Sequence, residues 1–316
     1  MLEEISTTLY RLLTEAVDSC KSDYIALSGG LDSTVLAYCL RHKPIKGIVV
    51  ITKDFLAKDL TYSQLVSKEF GLELVMKIPT IEEVFSAIED TIKILKNFNH
   101  IEIRNSIVMY LVLKKAVQEN SAGLVTGDGA DELFAGYNFF LKKSNEQIQK
   151  DLERIWEIMH FPTQKIGNAL GIPVESPFLS EKVDNYARSI PVDLKVNTRD
   201  GKKFGKWILR KMFENKIPKS VAWRDKSPME DGAGTSGLTS FFEGLVPDDR
   251  FESKKKEYFE KDRVSLQSKE SLYYYETYRK YFEAPSSLNS SDSKCPYCQA
   301  GIKRESRFCR MCGSLL

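Results

Sequence analysis

Apolar residues at Leu2, Ile5, Leu9, Leu12, Leu13 and Val17 recur at helical spacing and predict one helix with a single apolar face over residues 2–19. After it the period changes. Tyr24–Leu27 is a short apolar run, Asp32–Arg41 returns to helical spacing, and Ile45–Thr52, reading IKGIVVIT, is a second apolar run. The alternation continues with a helix over Leu60–Phe70, a strand over Leu72–Ile78, helices over 81–97 and 102–119, and a strand over Gly123–Thr126. This alternation predicts an α/β fold, a parallel twisted sheet with helices on both faces. From about residue 138 strands stop and helical spacing dominates, broken by IPVESPFLS (172–180), a polar stretch over 191–203 and MEDGAGTSG (229–237). Residues 251–283 read as one or two charged helices with a Tyr/Phe stripe, and EAPSSLNSSDSK reads as a flexible linker. The predicted organisation is a large domain over 1–284, a linker over 285–293 and a small tail over 294–316.

The 316 residues are 42% hydrophobic and 28% charged, in the ordinary range for a soluble enzyme. The net charge of +2 resides in the tail. Residues 285–316 hold five Lys/Arg against two acids, so the first 284 carry 41 basic against 42 acidic residues, no nucleic-acid footprint over the main body. The N-terminus, MLEEIST, has neither a basic n-region nor an apolar h-region, and no apolar run reaches membrane-spanning length, so the expected location is cytoplasmic, with no membrane partner. Cys20 and Cys39 fall in predicted helices and read as small buried hydrophobes.

Two Gly-rich segments, SGGLDS (28–33) and TGDGADE (126–132), each follow a predicted strand directly. Ligands of parallel sheets sit at the carboxyl ends of the strands where strand order reverses, so both segments are expected at that edge. In the first, paired glycines let backbone N–H groups approach an anion, and the following helix adds its positive end. Ser28 and Ser33 add hydroxyl donors, and Asp32 can hold a Mg²⁺ shared with phosphates. There is no Gly-Lys-Ser/Thr of a Walker loop and no GxGxxG spacing. The competing reading is a tight strand-to-helix turn with Asp32 as a capping acid.

SGGLDS resembles the pyrophosphate-binding loop of the N-type ATP pyrophosphatases. TGDGADELFAGY (126–137), RNSIVMYL (104–111), ESPFLS (175–180), KWILRKMFENKIPKSVAWRDKSPMEDGAG (206–234) and SKESLYYYETYRKYF (268–282) are similar, in the same order, to segments of the synthetase domain of asparagine synthetase. The resemblance covers about residues 1–284 and implies an adenine nucleotide alpha hydrolase-like fold. It also implies that a substrate carboxylate attacks the α-phosphate of ATP and that ammonia or an amine displaces AMP from the acyl-adenylate. On this resemblance Asp32 and Asp131 would be Mg²⁺ ligands. Ser28, Gly29, Gly30 and Ser33, with Gly127, would hold ATP by its phosphates, and the backbone around Val50 and Ile51 would receive the adenine.

Lys226, in WRDKSP, matches the family lysine that stabilises the transition state; the alternative is a solvated surface lysine. Asp128 stands where asparagine synthetases often carry Glu, a candidate acceptor of the nucleophile's proton; the alternative is an Asx-type turn acid beside Gly129. Arg104, ahead of an apolar helix, is either a phosphate or carboxylate contact or an ion pair at a helix start. Two departures bear on the acceptor: Ser180 replaces the acid of the usual P-F-L-D, and SPMEDGAG lacks the usual aromatic before its D-G-x-G turn. Aspartate is the leading carboxylate. The chain begins Met1-Leu2 and the synthetase-like pattern starts almost at once, leaving no room for a glutaminase domain. Free ammonium, a separate glutaminase subunit or another amine would then supply nitrogen.

Cys295, Cys298, Cys309 and Cys312 are spaced C-x₂-C-x₁₀-C-x₂-C, the pattern of two metal knuckles, and the tail resembles a small zinc ribbon holding one structural Zn²⁺. A disulfide pair and an iron–sulfur centre are the alternatives. Lys303, Arg304, Arg307 and Arg310 either contact RNA or a partner protein, or form a solvated face. The leading reading is an AMP-forming amide ligase. Its rivals are a tRNA-modifying ATP pyrophosphatase of the thiolation type, for which catalytic cysteines are expected and only Cys20 and Cys39 are available, and a non-catalytic nucleotide-binding scaffold.

Overall fold

The structure is a computed structural model that describes residues 2–52, 59–226, 229–288, 293–303 and 306–316. These fall into two compact units. The first takes in residues 2–51, 59–77 and 112–226, and the second residue 52, 78–111 and the described residues from 229 onward.

The first unit is built on a five-stranded sheet. Strands β1 (Tyr24–Ala26), β2 (Lys46–Val50), β3 (Leu74–Lys77), β4 (Leu124–Val125) and β5 (Val174–Glu175) lie in the order β3-β2-β1-β4-β5, all neighbours parallel. Register is set by pairs such as Ile25 with Gly47 and Val125, and Val125 with Glu175. Ile25, Ile48, Val49 and Val50 are buried, the continuous apolar run that a covered parallel strand requires. Strand order reverses between β1 and β4. α2 (Leu31–Leu40) follows β1, α3 (Asp59–Phe70) follows β2, and the two helices pack against each other. Leu9, Leu13 and Val17 of α1 (Leu2–Ser19) pack into one core with Val35, Leu36, Leu133, Phe178, Ile208 and Phe213.

The sequence reading stops strands at residue 138, and the structure differs there. β5 lies inside IPVESPFLS, and an antiparallel pair, Asn197–Arg199 with Lys202–Phe204, forms in the polar stretch. Each is two or three residues long, too short for a period to register.

In the second unit, α4 (Ile81–Leu95) starts at a Thr80–Glu83 capping box and buries Val84, Ala87, Ile88 and Ile92. It packs against the helix Lys269–Arg279. The predicted Tyr/Phe stripe is core: Tyr274, Tyr275 and Tyr278 are fully buried. Tyr274 donates to Glu270 Oε1 (2.9 Å) and Tyr275 to Asp262 Oδ2 (2.7 Å), which makes the burial of these two hydroxyls tolerable, whereas the Tyr278 hydroxyl has no hydrogen-bond partner among the described residues. The tail forms two small antiparallel bridges, Lys294 with Gly301 and Phe308 with Leu315. Of the predicted linker, residues 289–292 lie outside the described residues, as do Arg304 of the basic tail and residues 227–228 of WRDKSP. No helix among the described residues is long and apolar enough to cross a membrane.

Candidate active site

SGGLDS turns out of β1 into α2, and TGDGADE turns out of β4. Because β1 and β4 are adjacent, the two segments meet at the point of strand reversal. Gly29 has φ +68°, and a Cβ there would lie 2.4 Å from the Tyr62 backbone, so the turn requires glycine. Ser28 and Ser33 face each other, Oγ to Oγ 3.2 Å, and the Gly30 amide donates to Ser28 Oγ at 3.2 Å. Gly30 is the N-cap of α2 and no side chain caps it, which removes the reading of Asp32 as a capping acid. Arg224 closes the turn from behind: its guanidinium lies 3.8 Å over the Tyr62 ring and donates to Gly29 O at 3.4 Å.

Asp32 and Asp131 are joined by a lysine that the sequence reading did not single out. Lys206 Nζ lies 2.6 Å from Asp32 Oδ2 and 2.7 Å from Asp131 Oδ1. Lys226 Nζ, 2.5 Å from Asp131 Oδ2, completes a row of two carboxylates and two ammonium groups, so Lys226 is not a solvated surface lysine. Burial alone would raise the Asp131 carboxyl, but Lys206 and Lys226 prevail and hold it well below the usual carboxylate range. Burial depresses the Lys226 ammonium, and Asp131 and Asp32 more than offset this, so its pKa is raised. Asp32 Oδ1 is buried and accepts no hydrogen bond among the described residues, an open oxygen at the edge of the cluster.

Glycine and arginine positions hold the row in place. A Cβ on Gly136 would lie 2.0 Å from Asp131 Oδ1 and 2.2 Å from Lys206 Cε. Arg210, 5% exposed, donates to Gly205 O (2.8 Å), Ala222 O (2.7 Å) and Arg224 O (3.0 Å), tying the Lys206 segment to the Lys226 segment. Lys206 and Arg210 both lie in the KWILRK stretch already matched by resemblance. What was missing is a spacing rule that marks a lysine as facing an acid nearly 175 residues earlier, since Lys206 meets Asp32 across 174 positions.

Asp128 sits beside this row without joining it. Thr126 Oγ1 donates to Asp128 Oδ2 at 3.0 Å and in turn lies 2.9 Å from Ser176 Oγ. Burial pushes the Asp128 carboxyl up, only partly offset by the Thr126 and Thr163 hydroxyls, which favours its acting as a proton acceptor. Gly127 brings its backbone close to Asp32, whose Cβ would be 3.1 Å from an added Cβ. Val50 ends β2, and Ile51 continues the ladder by donating to Lys77 O at 3.0 Å. Both residues are buried.

In the second unit, Arg104 lies in the first turns of α5 (His100–Gln118). Its Nε is 3.2 Å from Glu230 Oε2 and its NH1 donates to Thr239 Oγ1 at 2.9 Å. Glu270, 2% exposed, accepts from Thr239 and Tyr274, so the ion pair belongs to a buried network. The tail cysteines converge: the four Sγ atoms lie within 4.8 Å of one another, Cys295 to Cys312 at 3.8 Å and Cys298 to Cys309 at 3.7 Å. These separations are far beyond a disulfide's roughly 2 Å. The cluster adjoins the start of α5, where Phe98 donates to Met311 O at 3.0 Å.

The asparagine synthase family profile matches residues 8–163 and 146–291. The chain is 31% identical over 297 residues to a probable glutamine-hydrolyzing asparagine synthetase of Dictyostelium discoideum, covering 82% of this chain and 51% of that protein. It is 29% identical over 284 residues to the Gallus gallus asparagine synthetase, covering 83% and 49%, and 29% identical over 252 residues to the human one, covering 74% and 43%. The chain thus spans about half the length of these relatives. With a profile match over most of its length and a parallel sheet that brings both Gly-rich segments together, the chain belongs to the asparagine synthase family.

Proposed function

We propose that this chain is an ATP-dependent, AMP-forming amide ligase that activates a carboxylate, aspartate first among candidates, and passes it to ammonia. The observation that carries the reading is the row Asp32, Lys206, Asp131, Lys226 at the strand reversal, beside a bare glycine turn that heads a helix. Adenylation puts negative charge on the α-phosphate and releases pyrophosphate, so it calls for fixed cations and a metal more than for a protein nucleophile. The Gly29–Gly30 backbone with Ser28 and Ser33 would grip the pyrophosphate. Gly127 would let the phosphates pass close to Asp32, and the backbone at Val50 and Ile51 would receive the adenine.

Asp32, with its open Oδ1, and Asp131 have the hard oxygen donors that Mg²⁺ takes. When bound there, the ion would neutralise phosphate charge. Lys226 would donate to the same phosphate oxygens as charge moves to the leaving group. Asp128, held by Thr126, would accept the proton of the attacking nitrogen. Arg104 offers a further guanidinium for an anionic group, with Glu230 as its resting partner. Nitrogen would come from free ammonium or a separate glutaminase.

In the tail we assign the four cysteines to one structural Zn²⁺. Thiolate arms of about 2.3 Å in a tetrahedron set sulfurs about 3.8 Å apart, which the two Sγ separations match. The ribbon's partner, protein or RNA, would meet it through Lys303, Arg307 and Arg310. The tRNA-thiolation reading is disfavoured by its thiols: burial pushes Cys20 up to about 11 and Cys39 to about 12, away from reactive thiolates.

The test is pyrophosphate release from ATP over a panel of free amino acids with ammonium and Mg²⁺, with and without tRNA. An amino-acid-dependent signal, lost in Asp32→Ala and in Lys226→Ala, is expected. Strict dependence on tRNA would replace this reading by base modification, and no turnover with any acceptor would favour the scaffold.

A further inference from the structure

Lys206 stands in an unusual place for a lysine. Its backbone is left-handed, φ 54°, at the N-cap of the helix Trp207–Phe213, a conformation that side-chain-bearing residues adopt only under constraint. The constraint is visible: Lys206 N donates to Phe134 O at 2.9 Å, and a Cβ on the preceding Gly205 would lie 2.2 Å from Ala135 O. The side chain then runs past Gly136, where a Cβ would be 2.2 Å from Lys206 Cε. It ends 4% exposed between carboxylates that come from two different strand ends. Two glycines and a left-handed backbone thus thread one ammonium into the centre of the row. Lys226, with 27% of its side chain exposed, reaches Asp131 from the more open side.

The Lys206 ammonium, 2.6 Å from Asp32 Oδ2 and 2.7 Å from Asp131 Oδ1, fills the space between these two oxygens, the place that a divalent cation bridging them would take. Magnesium–oxygen contacts of about 2.1 Å leave no room for both in one place, and two cations so close repel strongly. We propose that Lys206 is a tethered counter-ion: it fills the divalent-cation position while no nucleotide is bound, and so makes metal binding conditional on ATP. The inference rests on the assignment of Asp32 and Asp131 as metal carboxylates. A polyphosphate arriving in the Gly29–Gly30 turn supplies fresh negative charge. The Lys206 ammonium shifts onto phosphate oxygens, and the two carboxylates it leaves are free for the ion that travels with the nucleotide. In the nucleotide-free protein the same lysine keeps two adjoining acids from facing each other unneutralised. Free Mg²⁺ is then not a ligand of the resting protein. Mg·ATP is.

The experiment measures Mn²⁺ binding to the full chain by the loss of its free-ion electron paramagnetic resonance signal. It is run without nucleotide and with a non-hydrolysable ATP analogue. Wild type should bind Mn²⁺ at least tenfold more tightly with the analogue than without it. Lys206→Met should gain a nucleotide-independent site, at least tenfold tighter than in nucleotide-free wild type, and Asp32→Asn added to it should abolish that gain. The proposal is overturned if folded Lys206→Met gains no such site, or if wild type binds Mn²⁺ equally well with and without the analogue. Every reading subtracts a protein-free control with the same analogue, which chelates Mn²⁺ by itself, and Lys206→Gln takes the place of Lys206→Met should the latter not fold. Failure of the underlying assignment looks different: Asp32→Asn alone would then bind Mn²⁺ normally in the presence of the analogue.

Discussion

At the scale of the residue, charge placed out of water is decided by what stands beside it. Asp131 is held ionised because two ammonium groups outweigh its desolvation, whereas Lys195 has no such partner. Lys195 is fully buried, its Nζ has no hydrogen-bond partner among the described residues, and it rests 4.7 Å over the Trp156 ring. Burial, with Arg188 adding to it, pulls its pKa down to about 7. The folded state therefore binds fewer protons than the unfolded one between about pH 7 and the ordinary lysine value near 10.5, and stability rises with pH across that window. Lys195→Met should flatten this rise and stabilise the protein at pH 7 by on the order of a few kcal/mol, read from urea midpoints at pH 7 and pH 10. At Gly136 the conflict is steric. Gly136→Ala must displace Asp131 or Lys206, costing about 1–3 kcal/mol and most of the pyrophosphate release, measured by thermal unfolding and by turnover.

At the scale of the element, the helices were readable and the short strands were not. The spacing of Leu9, Leu13 and Val17 marks α1 because a helix repeats its pattern over several turns. Val174–Glu175 offers two residues and no repeat, so β5 becomes visible only when it pairs with β4. The candidate site divides the same way. Glycines, serines and acids of SGGLDS and TGDGADE announce themselves in the sequence, while Lys206 and Arg210 look like ordinary helix residues until the fold brings them to their partners. The cysteine spacing carried its own geometry, because two short knuckles need little from the rest of the chain. Their contact with the start of α5, inside the second unit, is testable. Phe98 donates to Met311 O, and Asn99 Oδ1 accepts from Ile101 N and Glu102 N at the start of α5. A chelator that removes the proposed Zn²⁺, or Cys298→Ser, should speed hydrogen exchange at the Phe98 amide at least tenfold and leave β1 and β2 protected.

At the scale of the whole molecule, a sheet that reverses its strand order brings together a turn bare enough for phosphates and a row of charges that balances itself. In the proposed reaction Asp128 would connect this architecture to nitrogen transfer. Asp128→Asn keeps the shape but removes the proposed proton acceptor, so it should lower amide formation on the order of 100-fold while pyrophosphate release driven by hydroxylamine, a nucleophile needing less base assistance, falls much less. The central claim is that a carboxylate oxygen attacks the α-phosphate, and isotope transfer tests it most directly. With an ¹⁸O-labelled amino-acid carboxylate, ATP, Mg²⁺ and ammonium, the account predicts one ¹⁸O in the AMP released and none in pyrophosphate. Label in inorganic phosphate together with ADP, or AMP formed without label, would contradict it.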